Sequence, residues 1–185
     1  MKAIVISGSR NEQGQTARAA GALVEGLREA GADAETVFLP RMKVERCRQC
    51  DAAGWGTCRS EGRCVIEDDF AALAERLRAA DVAVFANPVY FSDLSESLRA
   101  FLDRLRRITR HEAGQQGLTG KPAIGICVAG GGGGGAPACA ASLEKVLATC
   151  GFDVVDMVPA RRQNLPMKLD VLRVTGKWLA AGPIS

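Results

Sequence analysis

Four of the seven cysteines lie within one stretch of the chain, CRQCDAAGWGTCRSEGRC, at Cys47, Cys50, Cys58 and Cys64. We call this stretch, Cys47–Cys64, the cysteine segment. Four thiolates are the ligand set that a [4Fe–4S] cluster or a tetrahedral zinc ion requires. In a chain without an evident export signal, clustered cysteines point to metal, cluster or redox roles rather than to structural disulfides.

A second stretch, SGSRNEQGQT at residues 7–16, has the residue types of an anion site. Its small and hydroxyl residues let the backbone curl so that several N–H groups converge, and Arg10 adds a full positive charge. The stretch is neither a Walker A sequence nor a G-x-G-x-x-G fingerprint. It predicts a phosphate site, and the alternative is an ordinary turn between a strand and a capped helix.

Two more stretches favour a flat ligand. NPVYFSD, at residues 87–93, places Tyr90 and Phe91 side by side on a loop stiffened by proline. The glycine run 130–135 offers bare backbone that a planar ring can approach closely. The alternatives are packing of the aromatic side chains over the sheet edge and a flexible tether made of glycine.

Alternating elements would position these stretches. Short apolar runs predict five strands, at residues 3–6, 34–39, 82–86, 123–128 and 154–158. Helical spacing predicts helices at residues 15–30, 70–80, 94–108, 137–150 and 169–179. This alternation predicts an α/β fold, a doubly wound five-stranded parallel sheet of order 2-1-3-4-5 with helices on both faces. Ligands of such sheets bind at the carboxyl ends of the strands, so the loops after strands one, three and four are the predicted site.

Composition restricts the class of protein. The length of 185 residues predicts a single domain, residues 1–185, with a cysteine-rich loop insertion at about residues 41–66. A formal net charge of +3 argues against a nucleic-acid partner. No apolar run approaches the roughly 18 residues of a membrane span, and the apolar start MKAIVI is too short for a signal peptide. A cytoplasmic protein without a membrane partner is therefore predicted.

The stretches described above, taken together, resemble the flavodoxin-like NADPH-dependent FMN reductases and, among them, the iron–sulfur flavoprotein branch. The resemblance is carried by residues 8–16, by residues 87–91, by Ala129 with the glycines after it, and by the cysteine segment with GRCVIEDD at residues 62–69. It implies FMN as the cofactor. The residues it implies for the FMN phosphate are Ser9, Arg10, Gln15 and Thr16. Those it implies around the isoalloxazine are Pro88, Val89, Tyr90 and Phe91, which would donate backbone hydrogen bonds, and Ala129, Gly130, Gly131 and Gly132 on the other side.

The resemblance also implies a function. It implies an NAD(P)H-dependent oxidoreductase that passes electrons through FMN to a quinone, a flavin or another small acceptor. The alternative is an electron-transfer iron–sulfur flavoprotein that is reduced by ferredoxin. Because flavin chemistry takes place at N5 of the cofactor, no catalytic nucleophile–base pair is expected among the side chains. Members of the family assemble as homodimers or homotetramers with flavins near the subunit interface, which is the expected assembly here.

The cysteine segment departs from the pattern of that branch, which is C-x2-C-x2-C followed by a fourth cysteine. Ala53 occupies the third place, so Cys58 would have to substitute for the missing ligand. This departure favours free thiols or a redox disulfide over a [4Fe–4S] cluster. Trp55 is expected either to stack on a flavin or to pack locally. The arginines at the end of the third predicted helix, Arg104, Arg106, Arg107 and Arg110, are expected to form a solvated face or a docking patch for the extra phosphate of NADPH or for an acidic partner.

Overall fold

A computed structural model describes residues 1–182 of the chain. Its strands are β1 (Lys2–Ser7), β2 (Asp33–Phe38), β3 (Val82–Pro88), β4 (Pro122–Ala129) and β5 (Asp153–Arg161). Its helices are α1 (Gln15–Glu29), α2 (Thr57–Ser60), α3 (Asp69–Ala79), α4 (Glu96–Ile108), α5 (Glu112–Gln115), α6 (Ala136–Thr149) and α7 (Leu165–Ala180). Two short 3₁₀ turns, Leu39–Arg41 and Arg162–Asn164, follow β2 and β5.

The five strands form one parallel sheet of order β2-β1-β3-β4-β5, which confirms the predicted fold class. The central strands β1, β3 and β4 are buried along almost their whole length. This burial explains their continuous apolar sequence, because helices cover both faces of a parallel sheet. The edge strands β2 and β5 are only partly buried, with two buried residues each, in keeping with the weaker apolar pattern of β2.

Helices cover both faces of the sheet. α1 and α7 pack on one face, where Leu23, Leu27 and Leu172 are fully buried against the strands. α3, α4 and α6 cover the other face around a core that includes Phe70 and Phe101. The strand order reverses between β1 and β3, and the loops after β1, β3 and β4 therefore meet at one edge of the sheet.

The cysteine segment lies between the 3₁₀ turn after β2 and the start of α3. Its only regular element within the described residues is the four-residue helix α2. Within residues 1–182, no helix is both long and apolar enough to cross a membrane.

Candidate functional site

A cleft of about 480 Å³ lies where the loops after β1, β3 and β4 meet. Nine of the twelve predicted cofactor residues line it: Ser9, Gln15, Thr16, Pro88, Val89, Tyr90, Ala129, Gly130 and Gly131. Four residues that were not predicted also line it: Asn11, Gly14, Val128 and Gly134. The loops that sequence analysis selected are therefore brought together, and the additional residues are neighbours of the predicted ones within the same loops.

One end of the cleft is the N-terminus of α1. The first intrahelical hydrogen bond runs from the Arg18 N–H to the Gly14 carbonyl, at 2.9 Å, so the N–H groups of residues 15–17 have no partner within the helix. Gly14 provides no side-chain cap, and the first turn contains no acidic residue. Free amides and the positive end of the helix dipole favour an anion at this end of the cleft.

Gln15 provides a second sign of a ligand at this end. Its Oε1 atom is buried and has no hydrogen-bond partner among the described residues. A buried polar atom without a partner costs free energy unless a ligand or water satisfies it. Because Oε1 only accepts hydrogen bonds, as phosphate oxygens do, it suits a hydroxyl of the sugar chain of a bound phosphate ester, which can donate to it.

The other end of the cleft is formed by the loop after β3. Val89 donates its N–H to the carbonyl of Val128 at 3.0 Å, and Tyr90 donates its N–H to the carbonyl of Asp93 at 3.1 Å. These two amides are committed within the protein, and Pro88 has none. Within the described chain, the N–H of Phe91 is therefore the unused backbone donor among residues 88–91, fewer than the predicted set of donors.

The same loop makes a strained turn. Tyr90 and Asp93 exchange two backbone hydrogen bonds, and the residues between them have positive φ angles, 49° at Phe91 and 65° at Ser92. This is the geometry of a type I′ turn, which strongly favours asparagine and glycine. Non-glycine residues with such angles cost about 1–3 kcal/mol each and cluster at functional sites.

Two glycines allow the loops to approach so closely. A Cβ atom at Gly8 would lie 2.2 Å from the Ser95 Oγ. A Cβ atom at Gly135, where φ is +80°, would lie 2.7 Å from the Ser92 Cα. The loops after β1 and β4 therefore lie directly against the segment between β3 and α4.

Three of the predicted cofactor residues lie outside the cleft. Arg10 lines a neighbouring groove and pairs with Glu96 at 3.4 Å. Phe91 also faces that groove and is fully exposed. The carbonyl of Gly132 accepts a hydrogen bond from Gln163 at 3.3 Å, which holds the glycine loop from the end of β5. Gln163 was not predicted, since no motif marks it in the sequence.

The four cysteines of the cysteine segment line a single cavity of about 20 Å³, together with Arg104 and Arg107. All seven cysteines are free thiols. A volume of this size holds roughly one water molecule, far less than a four-iron cluster. Within residues 1–182, no group of three or more Cys, His, Asp or Glu side chains is placed to hold a metal ion. The segment has the donor atoms of a cluster site but does not fit a cluster in this arrangement.

A buried ion pair joins α4 to the stretch that follows the cysteine segment. The Nη1 and Nη2 atoms of Arg104 donate to the carboxylate of Asp68 at 2.6 and 2.9 Å, and both side chains are buried. Burial acts to raise the pKa of Asp68, but hydrogen bonds from Arg104 and from the N–H groups of Glu45 and Phe70 outweigh it and hold this pKa below its usual value. The prediction that Arg104 belongs to a solvated face is wrong, because it lies on the apolar side of α4 with Phe101.

Trp55 packs locally. The guanidinium of Arg107 lies 4.7 Å from the centre of its ring, and that of Arg59 lies 5.5 Å away. Arg107 also donates to the carbonyl of Gly54 at 2.6 Å. These contacts hold the Trp55 ring by cation–π attraction within the protein and favour local packing, which was one of the two expectations for Trp55.

The family of the chain follows from its sequence match. The model of the NADPH-dependent FMN reductase family matches residues 1–163. The chain belongs to this family. FMN is accordingly its cofactor, and the cleft fits that group: free helix amides and the orphaned Gln15 Oε1 lie at one end, and glycine backbone and Tyr90 lie at the other.

Several curated proteins that are similar in sequence to this chain carry the name iron–sulfur flavoprotein. The one from Methanosarcina thermophila is 36% identical over 104 residues, which are 56% of this chain and 52% of that protein. One from Archaeoglobus fulgidus is 30% identical over 105 residues, 57% of this chain and 46% of that protein. The chain thus spans about half the length of the curated relatives that it matches.

Solved structures share the fold. The NAD(P)H:quinone oxidoreductase from Methanothermobacter marburgensis is 22% identical and superposes with a TM-score of 0.72 over 100% of this chain and 98% of that one. RosB with its bound intermediate 8-demethyl-8-formylriboflavin-5′-phosphate is 19% identical, with a TM-score of 0.74 over 98% of this chain and 79% of that one.

Proposed function

We propose that the chain is an oxidoreductase that takes electrons from NAD(P)H and passes them through FMN to a quinone, a flavin or another small acceptor. The observation that carries this proposal is the cleft, whose lining combines the unpartnered amides at the start of α1 with glycine backbone after β4. Membership of the NADPH-dependent FMN reductase family supports it. The quinone oxidoreductase that shares the fold supplies quinones as the first acceptors to assay.

Different residues of the cleft would bind the phosphate and the ring of FMN. The N–H groups of residues 15–17, with Ser9 and Thr16, would hold the phosphate, and Gln15 would bond the adjoining chain. Tyr90 and the backbone of Gly130 and Gly131 would border the ring. Bound FMN would supply the redox chemistry, which is acceptance of a hydride from NAD(P)H and release of the two electrons singly or as a pair. With a quinone, the hydride and one proton from water yield the hydroquinone and NAD(P)⁺, which balances the reaction.

An anaerobic titration tests the proposal. One equivalent of NADPH or NADH should bleach the flavin absorption of the FMN-loaded protein, and a quinone should restore it. If neither nucleotide bleaches the flavin while reduced ferredoxin does, the chain is instead an electron-transfer protein and the proposal is rejected. A protein that is colourless and does not bind added FMN would reject both.

A further inference from the structure

The outer face of α7 carries apolar residues that the described chain leaves uncovered. Four of the eight exposed large hydrophobic residues within residues 1–182 lie on this helix, and they are Met167, Val171, Val174 and Trp178, with 39–66% of their surface exposed. We call these four residues the α7 stripe. Single exposed apolar residues are common, but a group on one helix marks an interaction site. The exposed residues of the neighbouring helix α1 are all charged.

The spacing of the α7 stripe is that of a seam between two helices. Its members are four, three and four residues apart, so that in a heptad abcdefg Val171 and Trp178 are at a, and Met167 and Val174 are at d. The residues of α7 that face the core, such as Leu172, lie on the other side of the helix. α7 is therefore apolar on two sides, one for the core and one for another helix.

A groove runs beside the stripe, between α7 and the edge strand β5. It has a volume of about 620 Å³, and Val155 of β5 lines it together with Val171, Val174 and Trp178 of α7. None of the residues that line this groove lines the flavin cleft. The surface is thus separate from the flavin site, and a partner bound there leaves the cleft open.

The charges beside the stripe favour a second copy of α7 in antiparallel orientation. Asp170 and Lys177 are at successive g positions, on the same side of the stripe. In an antiparallel pair of helices g positions face g positions, so Asp170 of each copy meets the partner's Lys177. In a parallel pair g positions face e positions, and Asp170 meets the neutral side chain of the partner's Thr175.

Both charged groups are available to a partner. Asp170 forms no ion pair within residues 1–182. Lys177 pairs with Glu29 of α1 at 2.8 Å, but its side chain is 51% exposed and its ammonium group has two further donors. An ion pair across the interface therefore requires no loss of an internal partner.

The antiparallel register also matches the apolar side chains. It places Met167 against the partner's Trp178, and Val171 against the partner's Val174. The flexible thioether of methionine makes favourable contacts with an aromatic ring, and the valines meet near the centre of the stripe. Tryptophan and methionine are enriched at protein interfaces, and the stripe contains both.

We propose that two copies of this chain associate through the α7 stripe, with the two α7 helices antiparallel about a two-fold axis and two Asp170–Lys177 ion pairs beside it. This interface differs from the expected assembly, in which the flavins lie near the subunit contact. α7 has 16 residues and is about 24 Å long. A contact of this length is at the small end of the range of specific interfaces, so the pair dissociates at micromolar concentrations.

Sedimentation velocity over the micromolar range, in the presence of FMN, tests the interface. The average mass of the wild type should rise with concentration. Val174→Glu should raise the dissociation constant by about a hundredfold or more, because the interface would then bury two carboxylates without partners. Val65→Glu is the matched control, because Val65 is also exposed but lies beside the cysteine segment, and its association should equal that of the wild type. Circular dichroism verifies that both variants are folded.

An exchange of charges tests the orientation. Asp170→Lys should raise the dissociation constant by about threefold to tenfold, because two attractive pairs become two repulsive ones. The addition of Lys177→Glu should restore the wild-type value. Since Asp170 and Lys177 are two turns apart on one helix, they do not contact each other within a chain, and such a rescue requires contact between two copies.

The possible outcomes either support or overturn the interface, whatever the flavin titration shows. A wild type that stays monomeric, an assembly that Val174→Glu leaves unchanged, or an equal loss in Val65→Glu would overturn the proposal. A double variant that associates no better than Asp170→Lys alone would overturn the antiparallel arrangement. A loss specific to Val174→Glu, with rescue by the double variant, supports both.

Discussion

The cleft and the surroundings of the cysteine segment differ in how the polar groups of the protein are satisfied. In the cleft, the amides at the start of α1 and the Gln15 Oε1 have no partner among the described residues, and the Phe91–Ser92 turn is strained. Around the cysteine segment, Asp68 accepts four hydrogen bonds, two from Arg104 and one each from the N–H groups of Glu45 and Phe70.

This difference indicates that a ligand would stabilise the protein by binding in the cleft rather than at the cysteine segment. The cleft leaves donors, an acceptor and backbone strain that a bound FMN can compensate, which is typical of functional sites. The cysteine segment uses its carboxylate internally, although the Nε atoms of Arg104 and Arg107 lack partners within the described chain. The contrast predicts that substitutions in the Arg104–Asp68 pair lower the free energy of unfolding, whereas substitutions in the cleft lower the affinity for FMN.

The largest expected effect is the loss of the buried ion pair. Arg104→Ala should lower the free energy of unfolding by about 3–5 kcal/mol, because it leaves the Asp68 carboxylate buried and unpaired. Urea denaturation followed by circular dichroism measures this loss. The affinity of the folded variant for FMN should remain within about twofold of the wild type, because the pair lies away from the cleft residues.

A double-mutant cycle controls for simple loss of packing. Asp68→Ala should also destabilise the protein, and the double variant should lose less than the sum of the two single variants, by about 1 kcal/mol or more. Strict additivity would mean that the two side chains do not act as a pair. A large drop in FMN affinity in Arg104→Ala would contradict the separation of the two regions.

The next effect concerns the cofactor. Gln15→Leu should raise the dissociation constant of FMN by about tenfold, equivalent to about 1.4 kcal/mol, because it removes a side-chain amide of the cleft lining whose Oε1 has no partner within the described chain. Quenching of flavin fluorescence on titration measures it. The variant in which Cys47, Cys50, Cys58 and Cys64 are all replaced by serine is the control, and its FMN affinity should match the wild type. An equal loss in both variants would show that the cysteine segment is part of the flavin site.

The smallest expected effect tests the strain in the turn after β3. Ser92→Gly should stabilise the FMN-free protein by up to about 1 kcal/mol, since glycine tolerates the positive φ angle at some cost in chain entropy. For a chain of this size the midpoint of thermal denaturation should rise by about 2–4 °C. Ser60→Gly, at an exposed serine of α2 without a positive φ angle, should lower the midpoint. A decrease in Ser92→Gly would show that the turn is not strained.

Sequence analysis predicted the sheet because its central strands are buried on both faces and must be apolar throughout. Val82–Phe85 and Ile4–Ile6 show this most clearly, and their positions determine which loops meet at the ligand edge. The phosphate loop followed from the same reasoning, since a strand that leads into a helix places free amides at that edge. These features depend on residues that are close together in the chain.

The features that sequence analysis missed depend on distant residues. Arg10 turns away from the cleft towards Glu96, 86 residues further along the chain. Gly132 is held by Gln163, 31 residues away. Arg104 is an exception, because its spacing from Phe101 and Ile108 places it on the apolar face of α4 and signals its burial, although nothing in the sequence identifies Asp68 as its partner.

The Arg104–Asp68 pair also constrains how this protein can change by mutation. A substitution at either position alone leaves a charge in the core, so a lineage can discard the pair only by passing through an unstable intermediate or by altering two codons at once. Because Asp68 also accepts the backbone N–H of Glu45, the residues that flank the cysteine segment on both sides meet at this one carboxylate. Anyone who transplants the segment into another member of the family must therefore transfer Arg104 with it.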